Sequence, residues 1–91
     1  MNKCVRITCS LEMVDDALQA IQKYARTLFV EGTIQATSPD RIKIVACGSK
    51  DKVDEFVDLV HKELARFNAQ NLEIEPFLKD KDYRGVFRIL Q

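Results

Sequence analysis

The sequence predicts an α+β domain in which two helices cover one face of an antiparallel sheet. Three observations carry that expectation. Residues 11–29 and 50–67 place apolar side chains at spacings of three and four, the period of an amphipathic helix. The runs 4–10, 30–36, 41–47 and 71–77 alternate apolar and polar residues, the period of a strand with one buried face. Two of these runs flank Thr37-Ser38-Pro39-Asp40, whose Pro and Asp suit a tight turn, so the pair reads as an antiparallel hairpin.

Taken in order, CVRITCS (4–10) directs Val5, Ile7 and Cys9 to one side and Arg6 and Thr8 to the other. In the first helix Val14, Leu18, Ile21, Ala25 and Leu28 form the apolar stripe, widened by Ala17, Ala20 and Tyr24. Ser10 is a candidate N-cap, and Glu12, Asp15 and Asp16 suit the positive end of the helix dipole. The hairpin strands face the core with Val30, Gly32, Ile34 and Ala36, and with Ile42, Ile44 and Ala46. Gly48-Ser49 breaks the strand, and Ser49 can cap a second helix whose stripe is Val53, Phe56, Val57, Val60, Leu64 and Phe67. NLEIEPF (71–77) is a strand suited to an edge by Pro76. LKDKDYR (78–84) reads as a solvated loop, and GVFRILQ (85–91) as a short final strand. The order is strand-helix-strand-strand-helix-strand plus a terminal strand, the split βαβ or ferredoxin-like plan. The helix-free face would carry Arg6, Thr8, Thr33, Gln35, Lys43 and Val45.

Bulk properties narrow the function classes. Ninety-one residues make one domain, 1–91, with a single modest core. Fourteen basic residues balance fourteen acidic ones, which argues against a nucleic-acid partner. No apolar run approaches the ~20 residues of a membrane span and no secretory core opens the chain, so the expectation is a cytoplasmic protein without a membrane partner. Three irregularly spaced cysteines suggest no disulfide framework and read as small buried residues. His61, the lone histidine, sits at the margin of the second helix's stripe with no nucleophile to serve.

Fold alone leaves many functions open. An RNA-recognition module needs aromatics on its central strands, and VRITC and RIKIVACG have none. A heavy-metal module needs a CxxC, whereas Cys4 and Cys9 lie five apart on opposite faces. The segment ARTLFVEG instead holds Ala25, Leu28 and Gly32 in an A-x-x-L-x-x-x-G run. The third strand ends Ile44-Val45-Ala46-Cys47-Gly48, and the last contains Phe87-Arg88-Ile89. At this spacing the chain resembles the acylphosphatases over most of its length.

The resemblance implies where that family's chemistry would fall. Its first strand leads into V-Q-G-V-G-F-R, whose glycines let backbone N–H groups wrap a phosphate while the Arg pairs with the charge. Counted back from Gly32 without gaps, the motif lands on Glu12, Met13, Val14, Asp15, Asp16, Ala17 and Leu18. The Arg position is Leu18, the glycine positions are Val14 and Asp16, and the Asn that orients the attacking water falls on Ala36. Three carboxylates then crowd a site meant for a dianion, where two unit charges ~4 Å apart repel by ~1–4 kcal/mol. A carboxylate-held divalent metal is the sharper reading of Glu12, Asp15 and Asp16, and helix-dipole complementarity the simpler one. Neither metal nor cofactor is expected.

The expected protein is a relative that keeps the scaffold without catalysis, a small binding or regulatory module for an unknown small ligand or protein partner. The alternatives are a weak acylphosphatase that hydrolyses carboxyl–phosphate anhydrides, through a loop placed differently from the gap-free count or through another cation such as Arg41 or Arg6, and a homodimer formed through an exposed edge strand. Arg6, Arg41 and Lys43 form a candidate anion patch on the open sheet face, against scattered solvated cations as the plainer reading.

Overall fold

The computed structural model describes residues 2–78 and 82–90. The elements are β1 (Asn2–Ser10), α1 (Val14–Thr27), β2 (Glu31–Ser38), β3 (Arg41–Ser49), α2 (Lys50–Arg66), β4 (Gln70–Pro76) and β5 (Phe87–Leu90). They form one five-stranded sheet in the order β4-β1-β3-β2-β5 with both helices on one face. The expected α+β, ferredoxin-like plan is the observed one. One feature differs: β5 runs parallel to β2, so the sheet is mixed. β5 lies at the edge opposite β4 and runs against it, since β4 pairs antiparallel with β1 while β1 and β2 both pair antiparallel with β3.

Register explains the core. Ile7 faces Ile74 on one side and Ile44 on the other, Ile44 faces Ile34, and Ile34 faces Ile89. One row of isoleucines thus crosses all five strands. Phe56, Val60 and Leu64 of α2 and Ala17, Ile21 and Ala25 of α1 close over it. Fully burying each of the larger ones, such as Ile7, Ile44, Ile34 and Phe56, contributes roughly 1.5–3 kcal/mol. Gly32 carries φ 143°, and a Cβ there would lie 1.8 Å from the Val45 carbonyl oxygen, so only glycine fits this crossing of β2 and β3.

Both helices end in the same device. At α2, Phe67 caps, Asn68 turns left-handed (φ 56°), and the Ala69 N–H reaches back to the Leu64 carbonyl (3.0 Å). At α1, Leu28 caps, Phe29 is left-handed (φ 57°), and the Val30 N–H donates to the Ala25 carbonyl (2.9 Å). Asn is an ordinary occupant of that position; Phe is not, and the conformation costs a non-glycine residue about 1–2 kcal/mol.

Several local expectations are corrected. β3 continues through Gly48 to Ser49 rather than breaking there, because β1 pairs with it to the end. Ser49 does cap α2, accepting from the Lys52 N–H. Ser10 does not cap α1: it is the last residue of β1, its hydroxyl accepts from Arg41, and Met13 stands at the cap with no side-chain bond. Cys4 and Cys47 are directly opposite in the β1–β3 register and form a disulfide, while Cys9 is a buried free thiol. The loop before β5 is not wholly solvated, because Tyr83 is only 7% exposed and packs with Val45 and Cys47 as a second small core on the helix-free face. Lys79, Asp80 and Lys81 of that loop, and Gln91 of the last strand, lie outside the described residues. Glu63 of α2 is buried despite its charge and accepts from the Tyr24 hydroxyl (2.9 Å) and the Arg66 guanidinium (3.3 Å).

Candidate functional site

The loop between β1 and α1 is three residues long, Leu11–Met13. The Leu11 N–H donates to the Asp40 carbonyl (2.8 Å), which fastens this loop to the β2–β3 turn. The result is a hollow of about 480 Å³ walled by Met13, Val14, Asp15 and Asp16 on one side and by Ala36, Ser38 and Pro39 on the other. The structure therefore brings Ala36 to the residues at the start of α1, some twenty positions earlier in the chain.

The polar groups of this hollow are one-sided. The first bond of α1 runs from the Ala17 N–H to the Met13 carbonyl (3.2 Å), so the N–H groups of Val14, Asp15 and Asp16 stand at the free end of the helix. Such donors and the helix dipole favour an anion. The exposed side chains of Asp15 and Asp16 occupy that end instead, and no Arg or Lys is among the described residues lining the hollow. Glu12 is not part of this wall and lines a separate hollow with Ser10, Asp40 and Gln70. Ala17 and Leu18 face the core; Leu18 is 7% exposed and packs with the sheet. Among the described residues no group of three or more His, Cys, Asp or Glu is arranged to hold a metal ion.

The three cations of the expected anion patch stand elsewhere. By register Arg6 faces Val45 and Lys43 faces Thr8, so Arg6, Lys43 and Arg41 share the helix-free face. Arg6 is already engaged: its Nε donates to Glu75 (2.8 Å) and its guanidinium lies 5.8 Å from the Phe77 ring centroid. Arg41 donates to the Ser10 hydroxyl (2.8 Å). Burial pushes the Cys9 thiol up, against a smaller opposing effect of Arg41, so it is held as a thiol rather than a nucleophile. His61 is exposed on α2.

A model of the acylphosphatase family matches residues 18–89. The chain belongs to the acylphosphatase family. Solved structures agree on the fold. An acylphosphatase from Coxiella burnetii superimposes with a TM-score of 0.82 at 21% identity, covering 98% of this chain and 93% of that one. An acylphosphatase from Bacillus subtilis gives 0.82 at 16% identity over the full length of both. HypF of T. kodakarensis gives 0.78 at 11% identity; all of this chain corresponds to 12% of that one. No curated protein matches in a sequence comparison. The family match begins at Leu18, two residues past Asp16, so it takes in Ala36, Ser38 and Pro39 of the hollow but not the wall that α1 supplies.

Sequence reading missed three features that the structure assembles. The Cys4–Cys47 pairing needed the β1–β3 register, although the parity of both residues placed them on the helix-free face. Tyr83 gave no periodic signal because it lies in a loop. Phe29 looked like one more apolar residue, yet it is 86% exposed.

Proposed function

We propose that this acylphosphatase-family domain does not turn over acyl phosphates and acts as a small binding or regulatory module. The observation that carries this reading is the hollow at the start of α1. Where the family resemblance calls for an Arg and a glycine-lined phosphate loop, the described wall carries Asp15 and Asp16 and no cation. Leu18, the counted position of the Arg, is in the core, and Ala36, the counted position of the Asn, has no polar atom to orient water. A phosphate dianion in the hollow would meet repulsion of ~1–4 kcal/mol from each carboxylate at ~4 Å, with no opposing side-chain charge.

Hydrolysis of acetyl phosphate by the purified protein tests the reading. The reaction would consume one water and release acetate and phosphate. The expected rate equals the spontaneous one, with and without added divalent metal. Cofactor-free turnover above that rate, abolished by Arg41→Ala or Arg6→Ala, would overturn it and move the phosphate site to the helix-free face.

A further inference from the structure

The end of the molecule opposite the hollow carries an apolar and basic patch. Phe29 terminates α1 in the left-handed conformation that Asn68 adopts at the end of α2. The fold needs that backbone geometry at both helix ends but gains nothing from a phenyl ring that is 86% exposed. Val86, also exposed, lines a hollow of about 300 Å³ with Phe29, Arg26 and Arg88. Arg84, itself left-handed (φ 57°), and Arg88 line the adjoining hollow. Neither Arg26, Arg84 nor Arg88 makes an ion pair with the described residues; the one carboxylate in that second hollow, Asp82, accepts from the Arg84 backbone N–H (2.8 Å). Glu31 also reaches the patch, its carboxylate accepting from the Gly85 N–H (3.4 Å), so among the described residues three arginines face two carboxylates and leave a positive excess of one on a chain of zero net charge.

We propose that Phe29, Val86, Arg26, Arg84 and Arg88 form a docking surface for an acidic segment of a partner protein, with an apolar side chain seated between Phe29 and Val86. Aromatic and Arg side chains without Lys are the composition of protein-interface centres, and a strained exposed aromatic is where function rather than folding selects the residue. Overall charge neutrality disfavours a nucleic acid at the same place. The proposal rests on the binding-module reading but uses a different surface, so the hydrolysis assay and the following experiment fail independently.

The immobilised protein is panned against a random dodecapeptide phage library. Enriched peptides are expected to carry net negative charge around a bulky apolar residue. Their affinity is expected to fall at least tenfold in Phe29→Asn and in Arg84→Ala/Arg88→Ala, and several-fold between 50 and 500 mM salt. Phe29→Asn keeps the left-handed turn and is expected to raise Tm, so its loss of binding cannot be a loss of fold. Absence of enrichment, enrichment of neutral or basic peptides, or binding to Phe29→Asn within twofold of the parent would each overturn the proposal. Co-sedimentation with phosphatidylserine vesicles that disappears in Phe29→Asn would also overturn it, by assigning the surface to a membrane.

Discussion

Reduction of the Cys4–Cys47 disulfide tests how β1 and β3 are tied. The bond joins residues 43 apart in sequence. In the chain-entropy description, closing a loop of that length removes about 13 cal/mol/K from the unfolded state, or about 4 kcal/mol at 25 °C. The two strands are already held by a ladder from Asn2–Ser49 to Ser10–Arg41, so their pairing persists when the bond opens and only the two sulfurs need move apart. The whole effect should therefore appear in the unfolded state. With a urea m-value of roughly 1–3 kcal/mol/M for a chain this size, the midpoint should fall by about 1.3–4 M on adding a phosphine reductant. Reduction is cleaner than Cys→Ala, because Cys47 is buried against Val45 and Tyr83 and truncation would add a packing loss. Alkylation of the unreduced, denatured protein should modify one thiol, Cys9. Three modified thiols, or equal urea midpoints with and without reductant, would refute the reasoning.

Two further outcomes are expected. Gly32→Ala should cost about 3 kcal/mol or more, because its Cβ would overlap the Val45 carbonyl oxygen at 1.8 Å and Ala resists φ 143°; a urea midpoint within experimental scatter of the parent would contradict this. The Asp54 carboxyl is held below its ordinary value of 3.8, first by the hydrogen bond from Lys3 and then by that from Lys50. A depressed carboxyl pKa stabilises the fold above the unfolded value and loses that contribution as pH falls through the lower folded value. Asp54→Asn should therefore lower stability slightly in the neutral region, by an amount kept small because the pair is partly exposed, and converge with the parent below pH ~4, which flattens the acid limb; unchanged acid limbs would count against the assignment.

The linear sequence determined the elements and their faces. A spacing of three and four or of two is a local consequence of backbone geometry, so Val14 to Leu28 and Ile42 to Ala46 declared their periods without a partner. Gly32 could be singled out by its spacing from Ala25 and Leu28, and the family with it. Tertiary structure decided what depends on register and on chain reversal. It set Cys4 against Cys47, laid β5 parallel to β2, and folded Tyr83 over the face that periodicity left open. It also gathered Ala36 to Asp15 and Asp16 and placed Phe29 beside Val86 and three arginines. The physical reason is range. Periodicity reports contacts within a turn or a pleat, whereas a site is a coincidence of side chains from elements far apart in sequence, and only the packed sheet fixes which of them meet.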